Sequence, residues 1–319
     1  MSVHNGSIKI GISACLLGQP VRYNGGHKAS ELCRDVLSRY FDFVPICPEK
    51  AIGLSTPRQP IRLVSHPEGP RAVGTVDLSL DVSESLTNLG KQTAEELDDI
   101  CGYILMQKSP SCGMERVKVY RDNGQPADPV GRGLFAAALM QARPDLPVEE
   151  DGRLNDPVLR ENFITRVFVY AEWQKLVKAG MSRHGLIRFH ERYKYLLMAT
   201  ARKQYKQLGQ LVAQCGVVAL STVAAQYFSQ LMAALKQPAN RGTHTNVLQH
   251  LSGYLKHVLS SEDKQELQEL IQQYRKGVVP LVSPLTLLKH HFRRHPDAYI
   301  ARQAYLQPHP ETLGLRNAL

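Results

Sequence analysis

A chain of 319 residues allows about two domains, and with 43% hydrophobic and 21% charged residues it has a sizeable core and is not wholly disordered. The net charge of +10 is unevenly spread: residues 1–150 hold 16 basic and 18 acidic side chains, residues 151–319 hold 23 and 11, a near-neutral half followed by a half suited to a polyanion. No apolar run approaches the ~20 residues of a membrane span, and the opening MSVHNGSIK lacks a signal peptide's apolar stretch, so the expectation is a cytoplasmic protein with no membrane partner.

In chain order, Ile8–Leu17 reads as a buried strand ending at Gly18, Pro20–Lys28 as a Gly-rich loop, and Ala29–Tyr40 as a helix. Phe43–Ile46 is a short strand halted at Cys47–Pro48, Leu86–Asp99 an amphipathic helix, and Gly102–Gln107 a second buried strand. Gly133–Ala142 is helical and Leu146–Glu149 a last strand. Strands alternating with helices predict an α/β domain built on a Rossmann-like parallel sheet. From Asn155 the helical period takes over. Asp156–Pro157 forms an N-cap and N1 start for Val158–Ala179, followed by helices at Leu186–Leu208, Ser221–Leu235, Asn246–Leu259, Ser261–Lys276 and Leu285–Arg294. The expectation is an α/β N-terminal domain over residues 1–165 and an all-α C-terminal domain over 166–319.

Cys15, Cys47 and Cys112 each fall at or just beyond the C-terminal end of a predicted strand, beside Gly, Pro or Ser. That edge is where parallel sheets place ligands, so thiols far apart in sequence can converge there. Three thiolates without a fourth ligand suit an iron–sulfur cluster with one open iron, or a zinc with an open position; three ordinary buried cysteines at loop starts satisfy the same pattern. Cys33, Cys101 and Cys215 read as packing residues. Gly26, His27 and Lys28, in a GGHK segment, are candidate phosphate or base contacts. No complete P-loop or GxGxxG pattern occurs, so no nucleotide cofactor is expected.

In the basic half, Arg183, Arg188, Arg192, Lys194, Arg202 and Lys203 crowd one stretch and Arg293 and Arg294 another. Charges interleaved with rings suit RNA, although the tyrosines at helical spacing read as core. His244, His250 and His257 lack the i, i+4 spacing of a helical zinc site.

The segments GISACLLGQPVRYNGGHK, VPICPEKAIGLSTPRQPIRL, QKSPSCGMERVKVY and GRGLFAAAL, in that order, resemble the thiouracil desulfidase family. The remainder resembles a second helical family found fused to it, through HGLIRFHERYKYLLMA, HTNVLQHLSGYLKHVLS and YLQPHP among others. The resemblance implies a [4Fe–4S] cluster on Cys15, Cys47 and Cys112, a catalytic Glu49 from the CPE motif, and a catalytic Ser109 from SPSC, with Ser111 as a cap. The fusion implies hydrolytic, non-redox removal of sulfur from 4-thiouridine in tRNA, giving uridine and hydrosulfide. Two alternatives stay open: a desulfidase of free thiouracil or thionucleosides, and a non-enzymatic RNA-binding iron–sulfur sensor.

Overall fold

The computed structural model describes residues 8–121 and 123–319; Met1–Ser7, most of the segment read for a signal peptide, lies outside them. The chain divides into two compact units between Asn155 and Asp156, so the first long helix belongs wholly to the second unit rather than being split at residue 165.

The first unit runs β1 (Ile8–Ser13), β2 (Phe41–Ile46), α1 (Pro48–Ala51), β3 (Ile61–Val64), β4 (Arg71–Gly74) and α2 (Ser83–Glu96). It continues with β5 (Tyr103–Leu105), β6 (Val117–Tyr120), β7 (Pro126–Gly131), α3 (Leu134–Ala142) and β8 (Val148–Glu150). One sheet has the order β2-β1-β5-β8 and is parallel throughout. Its inner strands are near-continuous apolar runs, Ile10, Ile12 and Tyr103–Leu105 being fully buried, as expected of strands covered on both faces. From β1 the chain passes to β2 on one side, and β5 then lies on the other. The order therefore reverses beside β1, and the crevice beyond the strand ends there is where such sheets place ligands.

Two sequence expectations change. The predicted strand Ile8–Leu17 stops at Ser13, and Ala14–Leu17 forms a 3₁₀ turn closed by Gly18 at φ +89°, a left-handed position favouring glycine. The predicted helix Ala29–Tyr40 is instead a π turn at Leu32–Val36 followed by a 3₁₀ turn at Leu37–Arg39. Only Cys33 and Leu37 bury themselves there while Val36 stays exposed, so too few apolar contacts support a regular helix.

A second sheet, β4-β3-β6-β7, was not anticipated. Its two antiparallel hairpins are joined by parallel β3 and β6. Each strand is short, but IRLV and VKVY carry an alternating signal, and HPEGP and the NGQP stretch after β6 carry turn residues.

The second unit is helical: α4 (Pro157–Lys178), α5 (Arg183–Thr200), α6 (Arg202–Ala213), α7 (Leu220–Leu235), α8 (Arg241–Ser252), α9 (Ser261–Arg275) and α10 (Val282–Arg294), followed by 3₁₀ turns. The Asp156 carboxylate accepts from the Val158 and Leu159 amides at 2.8 and 3.0 Å, with Pro157 at N1, as the sequence predicts. The predicted helix Leu186–Leu208 is broken at the buried Ala201, whose φ of −148° and ψ of 71° reverse the chain between α5 and α6. Aromatic packing forms this core: Trp173 stacks on Phe228 at 4.7 Å and meets Phe189 edge-on at 5.2 Å. Tyr193 is a buried core residue, as its spacing implied, and Tyr195, Tyr227 and Tyr274 are buried too, whereas Tyr205 is only half-buried with its ring 6.2 Å from that of His190. Among the described residues no helix is long and apolar enough to cross a membrane.

Candidate functional site

Cys15 sits in the turn after β1, Cys47 directly after β2, and Cys112 in the loop after β5. All three line one cavity of about 360 Å³ at the carboxyl end of the parallel sheet, together with Glu49, Arg58, Ser109 and Ser111. Backbone bonds fix each loop. The Cys15 carbonyl accepts from the amides of Gly18 and Lys28 at 3.2 and 3.0 Å, closing the Gly-rich loop over it. The Ser109–Gly113 loop is pinned by the start of α3: Leu134 and Ala136 donate to the Pro110 and Ser111 carbonyls, and Gly133 to that of Gly113. A Cβ on Gly133 would stand 2.5 Å from the Ser111 carbonyl, so the GRG segment is a requirement of this close approach.

Burial pushes the Cys15 thiol up to about 11 and the Cys112 thiol up to about 12, and raises Cys47 as well. Burial outweighs the nearby Arg22 and Arg58 charges, which lower Cys15 and Cys47 respectively, and Cys47 turns its Sγ toward the Val21 carbonyl at 3.7 Å. Among the described residues, no group of three His, Cys, Asp or Glu side chains is placed to hold a single metal ion. The Tyr103 side chain, on β5, is fully buried and its hydroxyl has no hydrogen-bond partner. Burial drives its pKa far up, and it also senses the charge that Cys112 and Cys47 would carry.

Glu49 lies in α1, two residues after Cys47, with Pro48 at the helix start. Its carboxylate is held from two sides. Arg58 donates to Oε2 through Nε at 2.9 Å and Nη2 at 2.6 Å, in a pair with only 6% and 14% of the side chains exposed. Arg58 is itself anchored by Nη1 bonds to the Val21 and Ser55 carbonyls, both 3.1 Å. The other oxygen, Oε1, accepts from Ser111 Oγ at 2.8 Å, and that hydroxyl lies 3.7 Å from Cys112 Sγ. Ser109 Oγ stands 2.9 Å from Ser111 Oγ and accepts from the Cys112 and Ser111 amides at 3.1 and 3.3 Å.

The contacts of the two serines differ. Ser111, read from sequence as a cap, is the one that touches the carboxylate; Ser109, read as catalytic, caps the turn and reaches Glu49 only through Ser111. The reason is register: a Ser-Pro-Ser turn brings its third residue, not its first, against α1. Arg58 was missed altogether, although it is the first charge after Lys50 in the quoted stretch VPICPEKAIGLSTPRQPIRL. Arg22, Tyr23 and Lys108, also not singled out, line the same cavity. Tyr23 is 40% exposed with the Arg22 guanidinium 5.7 Å from its ring centre, and Lys108 is exposed with its backbone at φ +58°.

Gly26, His27 and Lys28 do not line the cavity. The Gly26 amide is taken by the Asn24 side chain at 3.1 Å and the Lys28 amide by the Cys15 carbonyl, so the expected backbone cradle is spent on folding the loop. In the second unit Arg183, Arg188, Arg192, Arg202, Lys203, Arg293 and Arg294 are exposed. Arg188 and Arg192 share a hollow of about 420 Å³ with Tyr299 and Arg302, while Lys194 is half-buried over the Tyr195 and Tyr299 rings at 5.6 and 5.7 Å. His244 is buried and bonded through Nδ1 to Tyr305 Oη at 2.8 Å, a packing histidine.

Comparison with known proteins agrees with the division into two units. Residues 10–151 match the family described as 2-thiouracil desulfurase, and residues 194–310 match a protein family of unknown function, DUF1722. Among curated relatives, the protein YbgA of Escherichia coli (strain K12) is 34% identical over 159 residues, 50% of this chain and 94% of that protein. The protein YbbK of Bacillus subtilis (strain 168) is 32% identical over 151 residues, 46% of this chain and 97% of that one. A solved structure titled a [4Fe–4S]-dependent thiouracil desulfidase, TudS, is 33% identical, covers 47% of this chain and 95% of its own, and superposes with a TM-score of 0.37.

Proposed function

Because the chain belongs to the 2-thiouracil desulfurase family through residues 10–151, joined to a DUF1722 domain at 194–310, we propose that it is a desulfidase acting on 4-thiouridine in tRNA. The observation that carries the chemistry is the carboxylate of Glu49, fixed by Arg58 and Ser111 in a cavity lined by three thiols from three strand ends.

The donor set fits a cluster better than a single ion. The thiols share a cavity and form an all-sulfur donor set, the soft ligands that iron–sulfur clusters take. Three cysteines would leave one iron of such a cluster without a protein ligand. Cys15, Cys47 and Cys112 would hold a [4Fe–4S] cluster, which supplies a soft Lewis acid for a thiocarbonyl sulfur.

The chain's own residues do the rest. Glu49 Oε1 takes the proton from the water that replaces sulfur at the ring carbon. Arg58 keeps the carboxylate oriented through Oε2, leaving Oε1 for the reaction. Ser111 holds Oε1 until water arrives, and Ser109 orients Ser111 while tying down the Cys112 amide. Water supplies the oxygen and the sulfur leaves as hydrosulfide, so no net electron transfer is needed.

The RNA part of the reading rests on two features. Arg22, Lys108 and the exposed Tyr23 ring line the cavity, suiting a phosphate-bearing nucleotide more than a free base. The helical unit carries the excess positive charge, with exposed arginines beside Tyr299. Hydrolysis of a base inside folded RNA requires the nucleotide to leave its stack. A non-enzymatic sensor would leave the Glu49–Arg58–Ser111 arrangement without a role.

The test is loss of 4-thiouridine's near-ultraviolet absorbance in bulk tRNA, using anaerobically reconstituted protein and free 4-thiouracil in parallel. Turnover of tRNA supports the whole reading. Turnover of the free base alone keeps the chemistry and moves the substrate to the scavenging alternative. No turnover of either by protein with full iron content overturns the desulfidase.

A further inference from the structure

The YLQPHP stretch at the end of the helical unit plays no part in the chemistry above, yet it organises a buried polar cluster. Tyr305 Oη bonds His244, and the Tyr305 carbonyl accepts from Arg316 Nη1 at 2.6 Å. Arg316 Nε donates to Glu161 Oε1 at 3.2 Å, and His309 Nε2 lies 3.6 Å from the same oxygen. Arg316 and His309 are each only 7% exposed. After these contacts Arg316 Nη2 remains buried without a hydrogen-bond partner, while His309 faces Glu161 through Nε2 and the Pro310 carbonyl through Nδ1 at 3.4 Å. A guanidinium has donors only, and leaving one of them buried and unmatched is unfavourable unless something outside the protein accepts from it.

Both side chains line a cavity of about 140 Å³, whose wall also includes Lys289, Gln307 and Thr286. Across its lining Lys289 pairs with Glu311. That carboxylate is 65% exposed, so it is a surface partner that leaves at little cost, whereas Glu161, only 12% exposed, is committed to Arg316. The cavity has room for several waters, the scale of one phosphate or small carboxylate group and not of a nucleobase with its sugar.

We infer that this cavity is a binding site for a small oxyanion of phosphate type, held by Lys289 and Arg316, and that Glu311 occupies Lys289 in its absence. The ligand's oxygens take the Arg316 Nη2 donor and displace the Glu311 carboxylate from Lys289. The site lies entirely within the second unit, so its test does not depend on turnover at the cysteines.

The experiment measures binding of inorganic phosphate and of uridine 5′-monophosphate to the full-length protein by calorimetry and thermal shift, against chloride at equal ionic strength. The two carboxylate and ammonium partners give opposite signs. Lys289→Met is expected to weaken phosphate binding about tenfold or more, the loss of one charge-assisted contact, while Glu311→Gln strengthens it by removing the competitor. Binding of inorganic phosphate assigns the site to the free ion; binding of the nucleotide alone, with the same response to both variants, assigns it to a phosphate ester. Equal stabilisation by chloride, or phosphate binding indifferent to both substitutions, overturns the assignment. If Lys289→Met does not fold, Glu311→Gln alone decides, since unchanged or weakened binding there is equally fatal.

Discussion

Replacing each serine of the SPSC loop separately distinguishes the two parts they play. Ser111→Ala removes the hydrogen bond to Glu49 Oε1 at 2.8 Å and leaves the Arg58 contacts intact. A hydrogen bond to a charged group contributes about 1.5–3 kcal/mol. If it serves to hold Oε1 in the reactive orientation, kcat/KM falls roughly ten- to a hundredfold, at about 1.4 kcal/mol per decade. Ser109→Ala removes an acceptor from the Cys112 and Ser111 amides. That is a turn cap, whose loss costs about 0.5–2 kcal/mol of local stability and loosens the Cys112 loop before it affects the rate. The assay is single-turnover loss of thiocarbonyl absorbance, with iron content determined on the same samples so that rate is expressed per loaded site. Ser111→Ala is expected to keep its iron and lose rate; Ser109→Ala is expected to lose iron more readily and keep most of its rate per loaded site. A slow but fully loaded Ser109→Ala beside a fast Ser111→Ala would refute the assignment and return the catalytic part to Ser109.

Cys47→Ser is expected to abolish iron retention, whereas Glu49→Gln keeps the iron absorbance and loses turnover; an active Glu49→Gln would remove the general base. Arg58→Met leaves Glu49 as an uncompensated, mostly buried charge and should destabilise the first unit by about 3–5 kcal/mol, read by urea denaturation, with Arg58→Lys intermediate because it keeps the charge and loses the fork. Burial alone would raise the Glu161 carboxyl, but His309 and the Arg316 charge outweigh it and hold it down to about 2. A depressed folded pKa stabilises the fold above the unfolded value of about 4.3 and the benefit fades as pH falls toward 2, so about 3 kcal/mol of the helical unit's stability should disappear over that window and be absent in Glu161→Gln. Replacing both Arg188 and Arg192 with Gln should reduce the salt dependence of tRNA binding by one to two units of log–log slope, and an unchanged slope would place the RNA elsewhere.

The cysteine site was largely legible in the sequence because it follows from rules that act locally. A buried apolar strand must end in a turn, and the Gly, Pro and Ser residues around Cys15, Cys47 and Cys112 mark those ends. In a parallel sheet all such ends lie on one edge, so the convergence of the three thiols and Glu49 needed only the fold class. The Asp156–Pro157 helix start was legible for the same reason, since an N-cap depends on its immediate neighbours. The second sheet was missed because three of its strands have only four residues and bury too little to announce themselves, and the pairing of β3 with β6 is a long-range matter.

What tertiary structure alone decided was which polar atoms meet. Arg58 lies nine residues beyond Glu49 and Ser111 sixty-two, and no local rule relates their side chains. The loop before β3 and the start of α3 bring them within bonding distance, and that contact makes Ser111 rather than Ser109 the partner of the carboxylate. The Gly25–Gly26 cradle failed for the converse reason: backbone amides that look available in a glycine-rich sequence are claimed by the fold before any ligand arrives. Periodicity and turn chemistry dictate where the chain runs, because they act over a few residues; hydrogen-bond partners are chosen among all groups that packing brings close, and only the folded chain makes that choice.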